Sequence, residues 1–291
     1  HLSIRRQRQM CIRDSPQAAG LSSLRPLRWP AEEIWQAVSP LWPDFGVEIL
    51  PEIDSSNSEL LRRARAGRTE PTLLVAELQT AGRGRQGKPW QSQRDRRLGD
   101  ALSFSLGLPL QPADWSGLSL AVGVAVAEAL HPAVRIKWPN DVWLDGRKLA
   151  GILIETCGMP DANGPGAERY TVIGIGINVL PREADGLSTP PACVQDVLPG
   201  LDAPAVLGRV VPALARALRD FGAHGFDGFM PRFAALDLLD GREVNLSDGR
   251  HGQACGVSAG GALRVRLAEG GPDGGQVVEV TSADISVRPA G

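Results

Sequence analysis

Three cations share one glycine-rich decapeptide, Ala81-Gly82-Arg83-Gly84-Arg85-Gln86-Gly87-Lys88-Pro89-Trp90, set directly behind the apolar run Leu73-Leu74-Val75-Ala76. Glycine backbone N–H groups can close around phosphate or carboxylate oxygens, and arginine forks add charge-assisted, directional bonds. The loop therefore reads as an anion holder, against the blander alternative of a solvated basic loop. Gly82, Gly84 and Gly87 have the spacing of a dinucleotide fingerprint, and Gly82 to Lys88 that of a Walker loop with Pro89 where a hydroxyl is required. Both motifs need a helix opening at the last glycine, and Lys88 to Arg97 shows no helical apolar period.

Two further groups could join this loop. In Thr171-Val172-Ile173-Gly174-Ile175-Gly176-Ile177-Asn178-Val179, period-two alternation turns the isoleucines to one face and Gly174, Gly176 and Asn178 to the other. Paired glycines on one face mean close approach, by a ligand or by a neighbouring element; Asn178 on that face favours the ligand. In Lys137-Trp138-Pro139-Asn140-Asp141, the last two residues could ligate magnesium or serve as plain turn chemistry. The two-residue turn Asp145-Gly146 then places Leu144 opposite Arg147 and Trp143 opposite Lys148, giving that lysine a defined direction, although a solvated hairpin lysine is the simpler reading.

His1, His131, His224 and His251 fall outside these motifs, as do the four cysteines, apart from Cys157 just beyond the hairpin. Histidine acid–base work and nucleophilic triads are poorly supported. Phosphoryl or nucleotidyl transfer fits better, because there the protein mainly positions charged groups. A carboxylate attacking an α-phosphate is already ionised and needs no base.

The elements that must position these groups follow from period and punctuation. Val47 to Leu50 and Thr72 to Ala76 read as strands around a helix capped by Ser56 or Ser58 and ended by Gly67. Leu102 to Leu108, Val134 to Trp138, Val142 to Leu144 and Arg147 to Ile154 read as further strands, and Leu118 to Leu130 as a helix apolar nearly all round. A Gly/Pro-rich loop spans Gly158 to Gly166, and a helical stripe runs from Leu207 to Phe221, with Gly222 or Gly225 to end it. Four or five short alternating runs after Asp240-Gly241 read as a small β-barrel. The fold class is therefore α+β, with a tail at 1–44 that is irregular apart from one short helical turn at Ala31 to Val38, a catalytic domain at 45–237 and a small barrel at 238–291.

Composition sets the outer bounds. The chain has 291 residues, 43% hydrophobic, and a net charge of −2, which argues against a protein that wraps nucleic acid. Scattered cysteines without a CxxC pair imply neither disulfide framework nor zinc knuckle and fit a reduced, cytoplasmic setting. No run of about 18 apolar residues and no signal-peptide pattern is present, so no membrane role is expected. The chain starts at His1, and its first 28 or so residues carry little functional information. Prolines break the N-terminal segment too often for a winged helix-turn-helix.

Five segments in order resemble the biotin protein ligases: Asp54-Ser55-Ser56-Asn57, Gln79 to Gly87, Lys137 to Asp141, Arg147 to Leu153 and Gly174 to Asn178. The resemblance implies a class II aminoacyl-tRNA-synthetase-like central mixed β-sheet flanked by helices, then a Src-homology-3-like barrel. It implies that biotin and ATP give biotinyl-5′-AMP, which is then transferred to a lysine of the biotin carboxyl carrier protein. Ser55, Ser56, Gln79, Gly82, Arg83, Gly151, Leu153, Gly174 and Gly176 would meet biotin. Arg83, Arg85, Trp90, Asn140 and Asn178 would serve the nucleotide; Lys148 would bridge biotin carboxylate and α-phosphate, with Lys148 and Arg85 as the catalytic pair. Asp141 would be the carboxylate on the Mg2+ side. The form expected is monofunctional, with no DNA partner, and homodimerisation through a sheet edge stays open. Lipoate attachment and a biotin-sensing DNA-binding regulator are the alternatives weighed. The segment Gln93 to Asp100 is more charged than the glycine-aromatic stretch expected of the family.

Overall fold

A computed structural model describes residues 27–90, 98–159, 167–182, 191–268, 274–281 and 287–289. Residues 1–26, most of the charged 93–100 segment and most of the 158–166 loop lie outside the described residues. A seven-stranded sheet has the order β1-β2-β3-β7-β6-β5-β4, formed by β1 (Gly46–Leu50), β2 (Thr72–Ala76), β3 (Ala101–Leu110), β4 (Arg135–Lys137), β5 (Asp141–Leu144), β6 (Arg147–Gly158) and β7 (Arg169–Asn178). Only β1 and β2 pair in parallel, so the sheet is mixed.

Alternation along β3 and β7 divides the sheet into two unlike faces. Leu102, Phe104, Leu106, Leu108 and Ile173, Ile175, Ile177 enter the main core, covered by α3 (Leu118–Leu130) and α4 (Ala203–His224). Helix α3 is buried almost all round, as its composition requires. On the opposite face α2 (Ser56–Arg65) packs over Leu74, Tyr170 and Val172 through Leu60, Leu61 and Ala64, reaches Gly174 through Asn57, and leaves the Gly176–Asn178 end to other groups.

Two expectations are corrected and one helix is added. The cap of α2 is Ser55, whose hydroxyl accepts from Ser58 N at 3.4 Å. The helical turn expected at Ala31 to Val38 forms, as α1 (Ala31–Val38), but it belongs to no irregular tail, because it buries Ile34 and Val38 in the main core. An unforeseen helix, α5 (Met230–Leu236), buries Phe233 and leads into the C-terminal unit. That unit is a five-stranded antiparallel sheet, β11-β10-β9-β8-β12, from β8 (Glu243–Leu246), β9 (His251–Val257), β10 (Leu263–Leu267), β11 (Val277–Val280) and β12 (Val287–Pro289). Its apolar face, Val244, Leu246, Ala254, Leu263, Val265 and Val280, is continuous with the main core, and Trp138 Nε1 donates to Gly261 O at 3.0 Å across the junction. No helix among the described residues is long and apolar enough to cross a membrane.

At the same junction Leu238 N donates to Ile136 O at 2.8 Å, and Asp237 Oδ1 accepts from Leu239 N at 2.9 Å while Oδ2 has no hydrogen-bond partner. Burial pushes the Asp237 carboxyl up to about 6. A carboxyl with a raised folded pKa stabilises the fold while protonated, so stability is lost as pH rises from about 4 to 6. Asp237→Asn is expected to stabilise the protein by about 1–3 kcal/mol at pH 7, allowing for partial exposure, and to change little below pH 4. Urea unfolding at pH 4 and pH 7 checks this; an equal effect at both values would refute it.

Candidate functional site

The α2 N-terminus brings a polar cluster onto the glycine face. Ser56 N donates to Gln79 Oε1 at 2.8 Å, and Ser56 Oγ lies 3.1 Å from the same oxygen. Ser105 Oγ lies 2.7 Å from Ser56 Oγ and 2.6 Å from Asn57 Oδ1. Asn57 Nδ2 donates to Leu153 O at 3.2 Å and to Glu155 Oε2 at 2.9 Å. Each hydrogen bond fixes the next, so a buried amide at Asn57 is held by two strands, β3 and β6. Beside it, the Arg62 guanidinium holds the Asp54 carboxyl down at about 2 through bonds of 2.7 and 2.9 Å.

The cationic loop folds back on itself. Trp90 N donates to Gly82 O at 2.9 Å and Gly84 N to Lys88 O at 2.7 Å, closing a 3-10 turn at Arg85–Gly87 in which Gln86 and Gly87 have φ of 55° and 71°. Arg83 Nη2 reaches both Glu155 oxygens, at 2.8 and 3.1 Å. Arg85 Nη1 donates to Asn140 Oδ1 at 3.2 Å, and Asn140 Nδ2 to Ile152 O at 2.7 Å. Burial lowers the Arg85 pKa, and the Asp141 charge opposes that shift. The guanidinium is still charged at neutral pH.

The third group depends on a bulge. Trp143 pairs with Lys148 as the turn geometry predicts, but Val142 pairs with Ala150, so Leu149 is an extra residue on β6. That insertion places Gly151 opposite Asp141 and aims Lys148 over the same face. Lys148 Nζ bonds Asp141 Oδ1 at 2.7 Å, lies 5.8 Å from the Trp90 ring centroid, and stands 3.3 Å from where a Cβ on Gly151 would be. Register aligns Asp141, Gly151, Gly176 and Ser103 in one row across four strands. Asn178, beyond that row, donates to Lys148 O at 3.3 Å and accepts from Arg182 at 3.1 Å.

The glycines are bare for a reason that the sequence left open. A Cβ on Gly174 would collide with Asn57 Oδ1, and one on Gly176 with the Trp90 indole. Both are covered by the protein's own side chains, so close packing accounts for Gly174 directly. Of the site residues expected from the sequence, Ser56, Gln79, Arg83, Arg85, Asn140, Asp141, Lys148 and Asn178 bond on this face through their side chains, and a Cβ on Gly82, Gly151, Gly174 or Gly176 would meet Trp90, Gln79, Lys148 or Asn57. Leu153 contributes its carbonyl, Gly82 its carbonyl to Trp90, and Ser55 its cap. Sequence reasoning named Asn57 within a motif without giving it a role, and left out Ser103, Ser105, Glu155 and Arg182. For three of them a signal existed: Ser103 and Ser105 alternate within the apolar run of β3, and Glu155 follows Gly151 and Leu153 by steps of two.

Comparison with known proteins decides the assignment. Residues 51–178 match the biotin/lipoate A/B protein ligase family. A biotin–[acetyl-CoA-carboxylase] ligase of Paracoccus denitrificans is 34% identical over 241 residues, 79% of this chain and 96% of that protein. The chain belongs to this ligase family. A bifunctional ligase/repressor BirA of Salmonella typhimurium is 38% identical over 226 residues, 75% of this chain and 68% of the relative. A biotin protein ligase of Aquifex aeolicus solved with biotin and ATP superposes with a TM-score of 0.67 at 29% identity, covering 84% of this chain and 99% of the other. The mixed sheet with its C-terminal antiparallel sheet is thus the fold of the biotin protein ligases.

Within this ligase, Glu155 ties the Arg83 loop to the Asn57 cluster. Glu155→Gln keeps an acceptor for Asn57 but removes the charge that holds Arg83. Because the ion pair is partly exposed, stability is expected to fall by less than about 1 kcal/mol. Trypsin cleavage within residues 83–88 is expected to accelerate several-fold; unchanged cleavage would show that Arg83 is held by something else.

Proposed function

We propose that this chain is an ATP-dependent biotin protein ligase that forms biotinyl-5′-AMP and transfers biotin to a specific lysine of the biotin carboxyl carrier protein of acetyl-CoA carboxylase. The observation that carries the reading is Lys148, whose ammonium stands over Gly151 beside Asp141, with Arg85 close by, on a family scaffold. Relatives named as biotin–[acetyl-CoA-carboxylase] ligase, and a ligase solved with biotin and ATP, support it.

In the first step the ionised biotin carboxylate attacks the α-phosphorus of ATP and pyrophosphate leaves. Lys148 bridges carboxylate and phosphate, lowering their repulsion and stabilising the charge that builds between them. Ser55, Ser56, Gln79, Gly82, Gly151, Leu153, Gly174 and Gly176 contact or shape the biotin slot. Trp90, Asn140 and Asn178 serve the nucleotide. Arg83 and Arg85 hold the adenylate, with charge-assisted bonds of about 1.5–3 kcal/mol each. In the second step the carrier lysine's neutral amine attacks the acyl carbon of the mixed anhydride, and AMP leaves. Closure of the 82–90 loop keeps water from that bond until the carrier arrives.

Among the described residues no group of three or more His, Cys, Asp or Glu could hold a metal ion. Magnesium that arrives with ATP needs fewer protein ligands, usually one or two carboxylates beside the phosphates. Asp141 fits that part, with Asn140 next to it, and the ion would neutralise charge on the leaving pyrophosphate. The catalytic unit is 45–237 together with α1, which packs in the same core, and the C-terminal unit is 238–291. The setting is cytoplasmic, supported by the free Cys157, Cys193 and Cys255.

Lys148→Ala is expected to cut biotin-dependent pyrophosphate release by about 100-fold or more while leaving the unfolding midpoint in place. Normal turnover would return Lys148 to a solvated hairpin role. Arg85→Gly is expected to release free adenylate that labels bystander lysines; labelling confined to the carrier domain would remove the retention role. Absence of both pyrophosphate release and carrier labelling in the unmodified protein would overturn the assignment itself.

A further inference from the structure

Ser103 and Ser105 sit two residues apart on one face of β3 and differ in one respect. Ser105 Oγ is spent on Ser56 and Asn57. Ser103 is 2% exposed, and its Oγ has no hydrogen-bond partner. A buried hydroxyl without a partner costs free energy and gives the strand nothing that alanine or valine would not supply.

Its surroundings show what such a hydroxyl could meet. Ser103 is directly opposite Gly176 in the β3–β7 ladder, at the end of the row that runs through Gly151 to Asp141. The Trp90 indole lies on Gly176, and its Nε1 is a second buried atom with no hydrogen-bond partner over the same strip. Two unpaired polar atoms therefore border one patch of bare backbone, next to the Ser56–Gln79–Ser105 cluster. Adjacent strands are about 4.8 Å apart, so Ser103 stands roughly 10 Å along the row from Gly151 and the Lys148 ammonium above it. It cannot share the anion that Lys148 holds.

We propose that Ser103 is a further substrate-binding residue, whose hydroxyl hydrogen-bonds the polar ring end of the acyl substrate when that ring replaces the Trp90 indole on the Gly176 strip. The proposal rests on the reading of this site as a biotin site. The ring end is indicated because Ser103 lies beside the α2 cluster and away from the carboxylate-holding lysine. A hydroxyl both donates and accepts, which suits a ureido group carrying N–H donors and a carbonyl.

The test compares unmodified protein with Ser103→Ala and Ser105→Ala, using calorimetric titration of biotin, the KM for ATP in pyrophosphate release, and thermal melting without ligand. Ser103→Ala is expected to weaken biotin binding by about 3- to 10-fold, the worth of one hydrogen bond. Its KM for ATP should hold, and its ligand-free melting point should hold or rise. Ser105→Ala should lower the melting point, because Asn57 Oδ1 loses its hydroxyl donor. Unaltered biotin affinity in Ser103→Ala, while the unmodified protein binds biotin, would overturn this inference alone, as would a drop in its melting point equal to that of Ser105→Ala. No biotin heat in the unmodified protein would instead overturn the site reading on which the inference stands.

Discussion

The antiparallel register of β3, β7, β6 and β5 is the constraint on which the site depends. It sets Ser103, Gly176, Gly151 and Asp141 side by side, two bare backbones flanked by a hydroxyl and a carboxylate. Because side chains alternate with a period of two, the same register sends Ile173, Ile175 and Ile177 into the opposite core. A slip of one residue would put isoleucines on the site and glycines in the core. Folding stability and site geometry therefore select the same pairing.

One residue adjusts that pairing at its functional end. Without the bulge, Val142 would pair with Leu149 and Asp141 with Ala150, setting Lys148 out of phase with Gly151. The bulge lets Leu149 join the core while Lys148 and Gly151, three positions apart, share a face. Charge is then balanced locally: Lys148 by Asp141, Arg83 by Glu155, and Arg85 in a half-buried position by a carbonyl-type oxygen of Asn140 and the Asp141 field.

Features encoded by local chemistry were readable in the sequence. The Asp145-Gly146 turn, the all-round apolar α3 and the alternation of β7 each follow from a few neighbouring residues. So does the cationic loop, since glycine and arginine spacing needs no partner to be recognised. What escaped was set by distant contacts. The bulge at Leu149 is a property of two strands together, Glu155 becomes informative only when Arg83 and Asn57 arrive from elsewhere, and α1, which buries Ile34 and Val38, is part of the core through its packing on α4 and β1. The glycines show the same limit: periodicity placed them on one face, while the identity of what lies on them, Asn57 and Trp90, required the folded chain.

Trp90 resting on Gly176 alters the thermodynamics of any ring that enters. The newcomer trades places with an indole instead of with bulk solvent, so the apolar surface hidden before and after is nearly equal. Little hydrophobic driving force is left over. Affinity must then come from directional polar contacts around the rim. Such an exchange favours discrimination by hydrogen-bond pattern over discrimination by greasiness, and it should show a small heat-capacity change for so enclosed a ligand.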